Sequence, residues 1–285
     1  MIAATGATGH LGRHVMNQLL EGGAAEEVVA AVRSPDRAGD LAARGVHVRR
    51  ADYDAPETLA GAFQGVDKLL LISANELGKR VQQHRAAVAA AKKASVKLLV
   101  YTSLLHADTS GISLAGEHLA TEKAIREAGI PFVILRNGWY LENYTENLGP
   151  ALRHGVMLGA AKAGRIAAAS RADYAAAAVT VLTARGHAGK VYELAGDTSF
   201  TRADLAAEVA RQSGKPVAYS DMPAATYAET LRGLGVPGPV ADMLASADEG
   251  IARGELDDRS GDLRRLIGRP TATLAEAVAE GLKRV

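Results

Sequence analysis

Cysteine is absent from the chain. That excludes disulfides, thiolate nucleophiles and iron–sulfur ligation together. Aromatic residues are scarce, at 4% with a single tryptophan, which argues against an aromatic-packed β-sandwich. Neither sign of charge dominates, since 33 Lys/Arg against 32 Asp/Glu leave a net charge of +1. Without a basic block there is nothing to hold nucleic-acid phosphates, so no nucleic-acid partner is expected. No apolar run reaches the length that crosses a bilayer, so no membrane partner is expected. No basic, apolar and small-residue leader precedes the first predicted strand, and a cytoplasmic protein is the default. The eight histidines are scattered and none has HExxH spacing, so no metal site is expected. No GxSxG elbow marks a serine hydrolase.

What is present suits an α/β fold. The chain has 285 residues, 30 of them glycine, and 48% are hydrophobic. Its organising stretch comes first. Met1–Thr5 is a short uncharged run, Gly6-Ala7-Thr8-Gly9-His10-Leu11-Gly12 follows, and Arg13 to Leu20 carries apolar residues at helical spacing. Strand, glycine turn and helix open a dinucleotide-binding βαβ unit. In this pattern Gly6 makes the tight turn, Gly9 lets a pyrophosphate approach the backbone, and Gly12 lets the helix pack close to the sheet. The helix N-terminus presents N–H donors and a partial positive charge to the phosphates. His10 stands where it could flank them. The spacing is GxxGxxG rather than GxGxxG. An ordinary turn is the alternative, and the strand before and helix after weigh against it.

The second predicted strand runs over 28–33 and ends in Arg33, with Ser34-Pro35 as its exit. The carboxylate that selects NAD is expected here, roughly 20 residues past the glycines. Arginine stands in its place. A guanidinium pairs with a 2′-phosphate and stacks on adenine, so NADPH is preferred and NADH is weaker. A solvated surface arginine is the alternative.

Further strands at 46–52, 68–73, 97–103 and 132–136 alternate with helices at 41–44, 56–63, 81–94 and 117–128. This alternation predicts a Rossmann-type doubly wound parallel sheet with right-handed crossovers. Ligands bind such sheets at the carboxyl ends of the strands. Gly6–Gly12, Arg33, Ser73-Ala74-Asn75 and Thr102-Ser103 therefore share one rim. Asp52 either faces adenine or caps the next turn. From Leu141 onward helices dominate, with an interruption at 165–169 and a short strand at 191–194. A helix over 201–213 has Thr201 as its N-cap and Asp204 in its first turn. The expected organisation is a nucleotide-binding domain over 1–140, with return segments near 165–198, and a smaller, mostly helical substrate lobe over 141–285.

Catalytic residues are harder to place. Tyr-x-x-x-Lys dehydrogenases use tyrosine as proton donor and lysine to lower its pKa. Here Lys123 has Leu119 four residues earlier, and leucine transfers no proton. Lys123 touches a nicotinamide ribose or is a solvated helix lysine. Tyr140, Asn143 and Tyr144 follow the sixth strand, near the expected nicotinamide. They orient a carbonyl-bearing substrate, stack on its ring, or pack a hinge with Trp139. Lys123, Tyr140 and Asn143 are the catalytic candidates.

Several segments together resemble the NmrA-like atypical short-chain dehydrogenases, and within them the bacterial NAD(P)H:quinone oxidoreductases. They are Thr5–Gly12, Ala31-Val32-Arg33, Ala51-Asp52-Tyr53, Tyr101–Ala107, Leu135–Tyr144, Ser170–Tyr174, Tyr192–Asp197 and Leu266–Pro270. The resemblance implies NADPH in a cleft between a Rossmann lobe and a small C-terminal lobe. It implies two-electron hydride transfer to a quinone without flavin. By position, Gly6, Ala7, Thr8, Gly9, His10 and Leu11 hold the pyrophosphate and Arg33 the 2′-phosphate. Ser73, Ala74 and Asn75, with Asn137, Gly138, Trp139, Tyr140, Leu141 and Glu142, line the nicotinamide half. A quinone is a strong hydride acceptor and takes its protons from water, so proximity and orientation replace a tuned acid. The same family includes nucleotide-sensing regulators that act through a protein partner, which is the rival reading. Homo-oligomerisation is left open.

Overall fold

The structure is a computed structural model describing residues 1–23 and 25–285. Its strands are β1 (Ile2–Thr5), β2 (Val28–Val32), β3 (His47–Arg50), β4 (Lys68–Leu71), β5 (Leu98–Leu104), β6 (Phe132–Asn137), β7 (Val156–Gly159), β8 (Val191–Leu194) and β9 (Ala218–Asp221). The first α-helices are α1 (His10–Glu21), α2 (Gly39–Ala43), α3 (Glu57–Ala62), α4 (Arg80–Lys93) and α5 (Ala115–Ala128). They are followed by α6 (Glu142–Thr145), α7 (Gly149–His154), α8 (Arg171–Thr183) and α9 (Arg202–Ser213). The last four are α10 (Ala224–Gly233), α11 (Gly238–Ala252), α12 (Asp262–Ile267) and α13 (Leu274–Leu282).

Seven strands form one sheet in the order β3-β2-β1-β4-β5-β6-β8. β1 pairs in parallel with β2 and β4, β2 with β3, β4 with β5, and β5 with β6. β8 joins in the same sense, since Ile134 N donates to Lys190 O and Gly138 N to Leu194 O. This is the doubly wound order that the strand–helix alternation predicts, with β1 and β4 at the switch point. The reason lies in composition. β2 is buried at every position and β4 at three of four, as strands covered on both faces must be. Phe63, Leu69, Leu71, Leu99, Tyr101 and Ile134 are fully buried in the resulting core.

The chain divides into two compact units. The first comprises Met1–Leu104, Gly116–Asn137 and Arg171–Tyr192 and carries the parallel sheet. α1 packs on α8, where Gln18 Nε2 donates to Ala172 O over 3.0 Å. The second comprises Leu105–Ala115, Gly138–Ser170 and Glu193–Val285 and is mostly helical. It holds a two-stranded parallel sheet, β7 with β9, that the sequence does not announce. β9 is Ala-Tyr-Ser-Asp and largely exposed, and β7 is only four residues long, so neither offers an apolar alternation. A buried pair fixes the end of β7 instead. Asp248 Oδ2 accepts from Ala160 N over 2.8 Å, and its Oδ1 accepts from Arg202 Nη2 over 2.7 Å.

The helix start at Thr201 matches its sequence signal. Thr201 Oγ1 accepts from Asp204 N, and the Asp204 carboxylate accepts from Thr201 N, forming a capping box. α13 starts on a second such box, Thr273 with Glu276. Among the described residues no helix is long and apolar enough to cross a membrane.

Candidate functional site

The exits of β2, β1, β4, β5 and β6 lie along one edge of the sheet in the first unit, because all five strands run parallel. After β1 the backbone turns at Gly6 with φ +60°, a conformation in which a side chain is strained. Gly6 O then accepts from Gly9 N over 2.9 Å, closing the loop on itself. The sequence pattern sets Gly12 against the sheet; the structure sets it against this loop. A Cβ on Gly12 would lie 2.2 Å from Gly6 O and 2.8 Å from Ala7 Cα. A Cβ on Gly9 would meet the same carbonyl at 3.2 Å. The first turn of the helix is thus pressed onto the turn that precedes it.

α1 has Gly9 as its N-cap residue, with no side-chain cap and no carboxylate in its first turn. α9 and α13 spend a threonine and an acid on the same task. A helix start that recruits neither suits an external anion, to which its N–H groups and dipole contribute. Thr8 is half-buried, Ala7 and Leu11 are buried, and His10 is exposed at the first helical position.

β2 ends at Val32, so Arg33 stands just beyond the strand rather than within it. Its side chain is 67% exposed, and Nη1 lies 3.2 Å from Glu76 Oε1. Asp52 does not reach outward. Its Oδ1 accepts from Asp54 N over 3.1 Å, so it shapes the turn after β3.

The segment leaving β4 is held by its backbone. Thr5 Oγ1 accepts from Ile72 N over 3.0 Å and donates to Leu70 O over 3.3 Å. Thr102 Oγ1 accepts from Ser73 N over 2.9 Å. Thr102 is 2% exposed, so this hydroxyl positions the segment rather than facing an open rim. His84 Nε2 accepts from Ala74 N over 2.9 Å, which leaves the proton on Nδ1 for Thr121 Oγ1 at 3.0 Å. Arg80 Nε donates to Ala74 O over 2.8 Å, and its Nη1 reaches Glu117 Oε2 over 2.7 Å. Ser73 and Ala74 are half-buried and Asn75 is exposed.

Burial, with the Arg80 charge adding to it, pushes His84 down to about 3. His118, bonded through Nδ1 to the Tyr101 hydroxyl over 2.8 Å, is pushed down to about 3 for the same reasons. Both rings are held neutral. Once the pH drops below about 6.5, the unfolded chain binds more protons than the folded one. The stability these rings contribute is therefore complete above that value and is lost as the pH falls toward 3. We expect the urea midpoint to decline from about pH 6.5 to about 4.5, by the equivalent of roughly 2–4 kcal/mol. Asp67, held down to about 2 by Lys97 and the N-terminal amine, titrates only below that window. A midpoint that stays flat across it would contradict the assignment.

At the exits of β5 and β6, Ser103 and Arg136 stand opposite each other. Both reach a buried carboxylate from α5. Ser103 Oγ donates to Glu122 Oε1 over 2.7 Å; Arg136 Nε and Nη2 donate to Oε1 and Oε2, each over 2.9 Å. Asn137, next on the strand, is 4% exposed, and its Oδ1 is buried with no hydrogen-bond partner. Lys123, beside Glu122 in sequence, points the other way. It is 76% exposed and faces Glu127 one turn on, at 3.9 Å.

The second unit holds the rest of the predicted site residues. Trp139 O accepts from Ala169 N over 3.3 Å and Leu141 N donates to Ala169 O over 3.0 Å, so the 165–169 interruption is a short extended partner. Gly138 and Leu141 are buried, and Trp139, Tyr140 and Glu142 half-buried. Asn143 and Tyr144 do not act as a pair. α6 turns consecutive side chains about 100° apart, which leaves Asn143 exposed and sends Tyr144 inward. The Tyr144 ring packs edge-on against Phe200 at 5.8 Å and lies under the Arg202 guanidinium at 4.8 Å. Burial drives its phenol well above its usual range. A ring covered in this way packs the unit and does not stack on a substrate.

Thr5, Glu76, His84 and Glu122 were not among the sequence candidates. Only Thr5 carried a signal, as the last residue of the strand before the glycine turn. The described residues contain no group of three or more His, Cys, Asp or Glu able to hold a metal ion.

The profile of the NAD(P)H-binding family matches residues 6–185. Quinone oxidoreductase 2 of Escherichia coli is 53% identical over 279 residues, covering 98% of each chain. The crystal structure of NADPH-dependent quinone oxidoreductase QOR2 from Escherichia coli, complexed with NADPH, superposes with a TM-score of 0.96, covering 98% of this chain and 99% of that one. The Citrobacter sp. triphenylmethane reductase complexed with NADP(H) is 39% identical, with a TM-score of 0.95, covering 99% and 100%. An NmrA-like family domain-containing oxidoreductase of Aspergillus flavus is 30% identical, covering 97% of this chain and 93% of that one. The chain therefore belongs to the NAD(P)H-binding family, among its NmrA-like oxidoreductases.

Proposed function

We propose that the protein is an NADPH-dependent quinone oxidoreductase, and that it works without flavin or metal in the cytoplasm. The observation that carries this is Arg33, an exposed guanidinium on the same rim as an uncapped helix start. The residues fit the nucleotide. The loop from Gly6 to Leu11, with Gly12 behind it, holds the pyrophosphate against backbone N–H groups. Arg33 takes the 2′-phosphate. Ser73 to Asn75, placed through Thr102, line the nicotinamide half together with Asn137. Asn137 Oδ1, a buried acceptor with no partner, suits the amino group of a carboxamide.

The bound cofactor supplies a hydride, and a quinone that accepts it with a proton leaves as hydroquinone. The protein supplies position. Tyr140 and Asn143 are the groups assigned to orienting the acceptor. Leu119 stands where related dehydrogenases carry a tyrosine, so the proton comes from water. Lys123, solvated and paired with Glu127, receives no role.

The test is NADPH consumption with and without 1,4-benzoquinone, on protein checked for bound flavin. Fast flavin-free turnover, slower with NADH, is expected. Tight NADPH binding without turnover on several quinones would point to a nucleotide sensor. Turnover confined to a triphenylmethane dye would point to another conjugated acceptor. Arg33→Ala should raise the Kd for NADPH roughly 10- to 100-fold and barely change that for NADH. Equal losses for both would remove Arg33 from the 2′-phosphate.

A further inference from the structure

The first βαβ unit lacks the carboxylate that would meet an adenosine ribose at the end of β2. Glu76 brings one to that place from elsewhere in the chain. It lies in the segment after β4, and its Oε1 is 3.2 Å from Arg33 Nη1. We propose that Glu76 is a specificity-determining residue that sets the ratio in which the protein takes NADPH and NADH. This rests on the assignment of Arg33 to the 2′-phosphate.

Glu76 is held from behind on its other oxygen, by Lys79 Nζ at 3.2 Å and Gln83 Nε2 at 3.3 Å. Gln83 is 4% exposed and also donates to Asp54 Oδ1 over 3.1 Å, so this side of the carboxylate is fixed by a buried amide. The Arg33 side is not fixed. Arg33 makes a single contact with Glu76, not a two-pronged one, and its other N–H groups remain for a phosphate. When a 2′-phosphate draws Arg33 away, Lys79 and Gln83 keep Glu76 in place. Two consequences follow for whatever sits beside Arg33. A 2′-phosphate meets a negative charge within a few ångströms, which opposes it. A 2′-hydroxyl meets an acceptor, which welcomes it. Glu76 thus tempers the preference that Arg33 creates and keeps NADH usable.

The experiment is calorimetric titration of the whole protein with NADPH and NADH, for the unchanged chain, Glu76→Gln and Arg33→Ala. Glutamine keeps the shape and an oxygen for Gln83 while removing the charge. Glu76→Gln should tighten NADPH about 3- to 10-fold and loosen NADH about 2- to 5-fold, as expected for a half-exposed charge next to a dianion. The gain for NADPH should shrink in 0.5 M salt, where the screening length is roughly 4–5 Å. If Arg33→Ala collapses the NADPH-to-NADH ratio while Glu76→Gln leaves it unchanged, Glu76 has no part in selection and the assignment of Arg33 stands. If Glu76→Gln weakens NADPH, its carboxylate serves to position Arg33 and the proposal fails. If Arg33→Ala leaves the ratio unchanged, the 2′-phosphate lies elsewhere and both assignments fall.

Discussion

Gly12→Val should raise the Kd for NADPH more than about 100-fold while the chain still folds. The first methyl-bearing carbon would arrive 2.2 Å from Gly6 O and 2.8 Å from Ala7 Cα. Both neighbours are backbone, so no flexible side chain can move aside. Either α1 backs away from the loop or Gly6 O loses its bond to Gly9 N, and each path removes donors from the proposed phosphate site. Overpacking of this kind costs about 1–3 kcal/mol of stability, too little to unfold a domain of this size. Circular dichroism with calorimetric titration of NADPH separates the two effects. A folded variant with unchanged affinity would show that the loop does not carry the pyrophosphate. Gly9→Ala is the graded companion. Its Cβ meets Gly6 O at 3.2 Å, so a smaller loss is expected.

Glu122→Ala should lower the stability of the first unit by about 3–5 kcal/mol, the range for removing one partner of a buried ion pair. The carboxylate is 1% exposed and the Arg136 side chain 7%. Alanine would take away the acceptor of two guanidinium bonds and of the Ser103 hydroxyl. The urea midpoint gives the loss directly. The double variant Glu122→Leu with Arg136→Met should recover part of it, because it removes both charges of the pair together. If Glu122→Ala costs less than about 1 kcal/mol, the pair is solvated and its burial is only geometric.

The parallel sheet was legible in the sequence because its strands are apolar on both faces and are separated by helices of ordinary length. The glycine turn was legible because Gly6 takes a positive φ that strains a side chain and Gly12 leaves no room for one. Other features were hidden for a common reason: they are made by neighbours in space, from segments far apart along the chain. Glu76 is 43 residues from Arg33. The Tyr-x-x-x-Lys pattern points to Lys123, which the helix turns toward solvent, and not to its buried neighbour Glu122. Tyr144 looked like part of a cluster with Asn143, but adjacent helical residues diverge. The β7–β9 pair gave no periodic signal, since its fixing group is Asp248 on α11.

The segment that leaves β4 is held by what every amino acid shares. Thr5, Thr102 and His84 take the amides of residues 72 to 74, and Arg80 takes a carbonyl. None of these bonds uses the side chain of Ser73, Ala74 or Asn75. The path of the segment is therefore insulated from its own spelling. Substitutions at 73–75 can redecorate this stretch of the rim without moving it. Thr5, His84 and Thr102 have no such latitude. Three positions are left free to vary because the burden of shape has been handed to four others, Thr5, Arg80, His84 and Thr102.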